Sequence, residues 1–161
     1  SLHDALPICS ATENQLEREY LQQSISQNLG VKVELNTVGD YQMFANERDN
    51  KNYDIFVGGW FSDYNDPLDF LNVMKTGVYD SYGLYSNSEY DSLIDSLTGE
   101  NDNAKRLEIY QKLEDLLVAQ DCGVAPLYYS DKHYYYQNWV KDFYTSSFGA
   151  SQELYRATVE K

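Results

Sequence analysis

The stretch from Ala11 to Asn36 constrains the fold more than any other part of the chain. Leu16, Tyr20, Leu21, Ile25 and Leu29 recur at steps that read as one helical face, and Gly30 follows where a helix-terminating glycine sits. Val31, Val33 and Leu35 then alternate with Lys32, Glu34 and Asn36, the period of a strand with one buried face. An amphipathic helix feeding directly into such a strand predicts an α/β layer. A short helix carrying Tyr41, Met43 and Phe44, capped by Asp40, comes next. A second buried strand is expected over 53–57, running into the glycine-rich turn Gly58-Gly59-Trp60.

Further helices follow from capping residues and apolar spacing. Asp66-Pro67 opens a short one through Phe70, Leu71 and Met74. Asn87 or Ser88 caps another that places Tyr90, Leu93, Ile94 and Leu97 on one side, and Asp102 caps the longest, with Leu107, Tyr110, Leu113, Leu116 and Leu117. The helices over 12–29, 88–97 and 103–120 are expected to pack on a sheet holding 31–35 and 53–57. Val124–Ser130 and Lys132–Gln137 are aromatic-rich strand candidates, and Leu154–Val159 a last one.

Composition removes several function classes. With 12 basic and 26 acidic residues the formal net charge is −14, a field that repels a phosphate backbone, so nucleic acid is not an expected partner. The longest apolar runs fall far short of the roughly 20 residues that cross a bilayer. The 16 tyrosines, against only 3 prolines, argue for a packed core rather than disorder. Ser1–Ile8 has neither the charge nor the length of a secretory signal. It resembles the translation of a common sequencing-adapter oligonucleotide, so residues 1–10 are set aside as a non-native scar. Cys9 and Cys122 read as unpaired thiols, a disulfide being the alternative, and two Cys with two His give no zinc site.

The most distinctive segment is Trp60-Phe61-Ser62-Asp63-Tyr64-Asn65-Asp66-Pro67, which sets a tryptophan, a tyrosine and two carboxylates at the end of a buried strand, where ligands of α/β sheets often sit. The competing reading makes Trp60 core and has Asp63 and Asn65 satisfy backbone donors of their own loop. An EF-hand is rejected, because Leu68 and Met74 stand where its glycine and bidentate glutamate belong. No nucleophile elbow or phosphate loop is present, and His133 has no local nucleophile to serve. Carboxylate pairs for a glycan or peptide hydrolase exist by number alone, without specificity. The Tyr128-Tyr129 and Tyr134-Tyr135-Tyr136 clusters suit packing better than stacking on a ligand.

Four blocks together resemble the oligopeptide- and dipeptide-binding proteins of ABC importers, solute-binding protein family 5. These are Tyr53–Trp60 running into Asp63–Pro67 and Phe70-Leu71, then Tyr90–Ile94, then Asp102–Arg106 with Tyr110 and Leu113, then Val124–Tyr129. The resemblance implies the C-terminal lobe portion of a periplasmic-binding-protein-like, type II, two-lobe α/β fold. Residues 11–123 would form part of the ligand-binding lobe, and residues 124–161 would return toward a first lobe that lies outside this sequence. It implies a monomeric, non-enzymatic, extracytoplasmic receptor, periplasmic or a cell-surface lipoprotein of a bacterium, without cofactor or metal, which passes a peptide to a membrane permease. Carried over residue by residue, Asp63 matches the position that pairs with the peptide's α-ammonium and Trp60 borders it, with Gly59, Tyr64 and Asn65 completing the ligand-binding set. A carboxylate facing a closing cleft gains from such a charge-assisted bond. Other members of the family bind nickel chelates, haem or oligosaccharides, and Asp63 tilts the choice toward peptides. Ile55-Phe56-Val57 offers no basic residue for a short peptide's carboxylate, and Arg48 reads as an exposed helix-end arginine.

Overall fold

A computed structural model describes residues 6–11, 15–39, 41–78, 84–131, 133–146, 148 and 154–160. The chain divides into two compact units, Ser1–Gly59 and Trp60–Lys161. The first is a three-stranded parallel sheet in the order β2-β1-β3, with β1 at Leu6–Ala11, β2 at Val33–Val38 and β3 at Ile55–Phe56. Parallel neighbours need long crossovers. Helix α1 (Gln15–Leu29) supplies one between β1 and β2, and α2 (Tyr41–Asp49) the other between β2 and β3. Gln22 Nε2 donates to the Val33 carbonyl at 2.8 Å and ties α1 to the start of β2. Phe44 is buried against Tyr53 and Phe56, its ring centroid 4.9 Å from that of Phe56.

The strands expected over 31–35 and 53–57 share one sheet, but they are not neighbours. The strand between them, β1, begins inside the segment set aside as a scar: Leu6 pairs with Val33, and Ile8 with both Leu35 and Ile55. The segment set aside as a scar thus supplies most of the central strand. Pro7 gives that strand no N–H. The expected cap Asp40 lies outside the described residues.

The apolar face assigned to α1 is also corrected. Leu16 and Tyr20 are 83% and 70% exposed, Leu21 and Ile25 are half-buried, and the buried side chain is Arg18. At about 100° per residue Leu16 lies opposite Ile25, whereas Arg18 falls roughly 20° from it. Leu16 and Tyr20 never shared the sheet-facing side.

The second unit is helical at its centre. Helices α3 (Leu68–Asn72), α4 (Ser88–Ser96) and α5 (Asn103–Glu114) pack on one another, and α5 continues as a π-helical segment, Asp115–Gln120. Their core joins Leu71, Val73, Met74, Tyr85, Tyr90, Ile94, Leu97, Tyr110, Leu113, Leu116 and Leu117, with Tyr90 and Leu113 fully enclosed. The faces of α4 and α5 expected to cover the sheet are used here instead, except for Leu107, which is exposed, because three short helices can close a core only on each other's apolar sides. The caps fall where the sequence puts them: Asn87 Oδ1 accepts from the Glu89 and Tyr90 amides, and Asp102 Oδ1 from those of Ala104 and Lys105.

Beyond the π-helical segment the expected strands over 124–130 and 132–137 are absent from the described residues, Lys132 itself lying outside them. The expected strand over 154–159 shortens to β5 (Thr158–Val159), antiparallel to β4 (Val140–Lys141). Aromatic and β-branched content suits a pleated surface but does not supply a neighbouring edge. Tyr129 and Tyr135 are more than nine-tenths exposed, against the packing expected of them.

Candidate functional site

After β3 the chain passes Val57, Gly58 and Gly59 into the second unit. A Cβ on Gly58 would come within 2.5 Å of Phe56 Cε1, while one on Gly59 would meet nothing within 4 Å. The close approach of backbone to ring thus requires glycine at 58. Gly59, the position assigned to the site, is exposed and ends the first unit.

The loop from Trp60 to Asp66 opens the second unit, and α3 fixes its far end. Asp66 Oδ1 accepts from the Leu68 amide at 2.9 Å, and the Asp69 and Phe70 amides bond the carbonyls of Asp66 and Pro67. This is the helix start expected from Asp66-Pro67. The first turn of α3 presents Asp69, only 5% exposed, back toward the loop. Its Oδ2 accepts from the Asp63 amide at 2.7 Å and from the Trp60 indole Nε1–H at 3.4 Å. Trp60 is half-buried against the helical core, whereas Asp63, Tyr64 and Asn65 are exposed. Among the described residues, no group donates to the Asp63 carboxylate.

A second network anchors the loop to α5. Arg106 Nη2 meets Asp66 Oδ2 at 2.8 Å, and its Nη1 donates to the carbonyls of Leu97 and Glu100 at 3.3 and 3.2 Å. The Tyr110 hydroxyl donates to Asp66 Oδ1 at 2.6 Å and also accepts from Arg106. Burial works to raise the Asp66 pKa, but the hydrogen bonds from Tyr110 and Leu68 and the Arg106 charge outweigh it and hold the carboxyl below its usual range. Tyr110 is pushed up to about 12 by burial and by its bond to the Asp66 carboxylate.

The structure therefore gathers Trp60 and Asp63 on one buried acceptor, with Tyr64 and Asn65 next to them on the surface, and it separates the two sequence readings of this loop. Trp60 does touch the core, but the loop's amide is satisfied by Asp69 rather than by Asp63 or Asn65. Sequence reasoning missed Asp69 because an aspartate in a helix's first turn reads as a solvated, dipole-favoured residue. Its spacing of three from Asp66 gave the only hint. Arg106, marked only within a matching block, and Tyr110, also expected on the apolar face of its helix, prove to be the loop's anchor. His133 is exposed, but Arg48, expected to be exposed at its helix end, has a side chain only 13% exposed and pairs with Asp49 at 2.8 Å.

Comparison with known proteins yields a consistent set. The family model described as bacterial extracellular solute-binding proteins, family 5, middle region, matches residues 8–81. The chain is 32% identical over 124 residues to the oligopeptide-binding protein OppA of Bacillus subtilis, which covers 76% of this chain and 21% of that protein. It is also 32% identical over 113 residues to the periplasmic OppA of Salmonella typhimurium, covering 70% and 20%. The crystal structure of the substrate-binding domain of an oligopeptide ABC transporter from Bacillus anthracis superposes with a TM-score of 0.83 at 26% identity, covering 98% of this chain and 31% of that one. The chain thus spans about a fifth of the length of the curated relatives it matches. Among the described residues, no helix is long and apolar enough to cross a membrane.

Proposed function

Because this chain belongs to family 5 of the bacterial extracellular solute-binding proteins, we propose that it forms part of the ligand-binding lobe of a monomeric extracytoplasmic receptor for oligo- or dipeptides. The receptor hands its peptide to the membrane permease of an ABC importer and makes or breaks no bond. Asp63 pairs with the peptide's α-ammonium, Trp60 borders that end, and Gly59, Tyr64 and Asn65 line the approach. The observation that carries this reading is the Asp63 carboxylate itself, exposed and bonding no group among the described residues, on a loop whose backbone is held by Asp69. A cap or a core aspartate would spend its oxygens at home. Contacts to the peptide main chain make no demand on side-chain sequence, which suits a receptor of broad range.

Residues 124–161 return toward the receptor's first lobe in this proposal. The exposed Leu127, Tyr128, Tyr129, Tyr135 and Tyr136 support it, since a run of large apolar side chains left in water is what a missing neighbour would cover. The complete receptor is a periplasmic protein or a cell-surface lipoprotein.

The test is titration calorimetry on the full-length receptor, with tetra-alanine and N-acetyl-tetra-alanine as ligands, for wild type and Asp63→Asn. Truncating one partner of a desolvated charge pair costs about 2–5 kcal/mol, so the mutant weakens the free peptide strongly and the acetylated one little. Equal losses for both peptides, or no binding of either to wild type, would refute the assignment.

A further inference from the structure

We propose that Asp69 is the positioning residue of this ligand site: by holding the Asp63 amide and the Trp60 indole, its buried carboxylate sets the direction in which the exposed Asp63 carboxylate is offered to a ligand's ammonium group. The inference rests on the role of Asp63 argued above and adds a residue to it.

A buried aspartate, 5% exposed, has given up most of its hydration, and its oxygens need hydrogen bonds to replace the lost water. The donors that replace it here are an amide and an indole of the 60–63 segment, and both bond the same oxygen, Oδ2. One acceptor therefore fixes two things a ligand would meet: the ring of Trp60 and the backbone from which the Asp63 side chain departs. The Asp63 side chain contributes nothing to this placement, because its carboxylate bonds no group among the described residues. Asp69 is placed in turn by α3, and α3 by the cap at Asp66 that Arg106 and Tyr110 grip. The chain of support runs from α5 through Asp66 and α3 to Asp69, and ends at the exposed carboxylate.

Acceptor geometry and negative charge make different demands, so two variants separate them. Asp69→Ala removes both, whereas Asp69→Asn keeps an oxygen of the same reach and loses the charge. The experiment measures the ratio of affinities for tetra-alanine and N-acetyl-tetra-alanine in the full-length receptor, for wild type, Asp63→Asn, Asp69→Ala and Asp69→Asn, with the melting temperature of each. In Asp69→Ala the ratio falls by about tenfold, the scale of a lost hydrogen bond to a charged acceptor. Affinity for the acetylated peptide changes little, and Asp69→Asn restores most of the ratio. If Asp69→Ala does not fold, Asp69→Leu replaces it, since leucine has a similar shape without an acceptor. A wild-type ratio in Asp69→Ala, alongside a collapsed ratio in Asp63→Asn, would overturn the role of Asp69 and leave that of Asp63 standing. A wild-type ratio in Asp63→Asn would instead overturn the underlying reading. Equal collapse in Asp69→Ala and Asp69→Asn would show that charge acts rather than position, which also overturns the inference.

Discussion

Replacing Arg106 with methionine removes the guanidinium and keeps most of its aliphatic bulk. The side chains of Arg106 and Asp66 are 19% and 32% exposed, so the pair lies between the exposed and buried limits. Exposed pairs contribute about 0–1 kcal/mol, and breaking a buried pair costs about 3–5 kcal/mol. Most of what Arg106 leaves behind has a second partner: Asp66 keeps the Leu68 amide and the Tyr110 hydroxyl, and the Leu97 carbonyl keeps the Glu100 amide. The cost is therefore placed at about 2 kcal/mol, roughly a thirtyfold shift in the unfolding equilibrium. Hydrogen exchange at the α5 amides reads the helical unit alone, and the Leu113 amide, at the centre of its core, is the probe. Asp66→Asn and the double variant complete a cycle in which the coupling is about 1 kcal/mol or more. A cost for Arg106→Met below about 0.5 kcal/mol, or strict additivity with Asp66→Asn, would refute the view that this pair anchors the loop.

The same carboxylate gives the unit an acid limb. Asp66 is held below its ordinary value of 3.8, so its contribution is fully present above that pH and is lost as pH falls through the lowered value. Protection of the α5 amides, referred to the unfolded-chain exchange rate at the same pH, should fall below pH 4 in wild type and lose that component in the Asp66→Asn variant. Tyr110 gives an alkaline limb of opposite sign: with its pKa pushed up from 10.0 to about 12, its contribution is present below pH 10 and fades as pH rises toward 12, a component that Tyr110→Phe abolishes. Asn87 both caps α4 and donates to Asp121 Oδ2 at 2.7 Å, so Asn87→Ala should cost at least the roughly 1 kcal/mol of a lost cap, read from the α4 amides.

What could be read from the sequence was local, and what could not was pairing. The caps Asn87 and Asp102 and the helix start at Asp66-Pro67 are written in side chains that bond amides two or three residues away, so they were visible without a structure. Strand edges depend on distant partners. That is why 31–35 and 53–57 could be put in one sheet but not in their order, and why 124–137 looked like strand from its tyrosines yet finds no ladder among the described residues. The α1 face failed for a different reason, since apolar residues were joined without regard to their angle around the axis, and a buried arginine at position 18 contradicts any rule that counts hydrophobic residues alone. In the candidate site, Asp63 could be singled out by resemblance because it belongs to one motif, while Asp69 and Arg106 act across turns of chain that only the fold brings together.

Asp63, Asp66 and Asp69 share one chemistry and a spacing of three, yet the fold spends them in three ways. Asp69 is taken out of water and used entirely on the loop's own donors. Asp66, half-buried, divides its oxygens between the cap of α3 and the α5 side chains. Asp63 stays in water and bonds nothing among the described residues. A carboxylate that must meet a cation arriving from solution has to keep its oxygens free, and a free side chain on an unsupported loop would lose much of the gain by being ordered at the moment of binding. Burying the neighbours would remove that cost beforehand, because the backbone of Asp63 is already held by Asp69. The two inner aspartates are thus the condition under which the outer one can be left unsatisfied, and their burial argues that the loop is built to present a charge rather than merely to connect a strand to a helix.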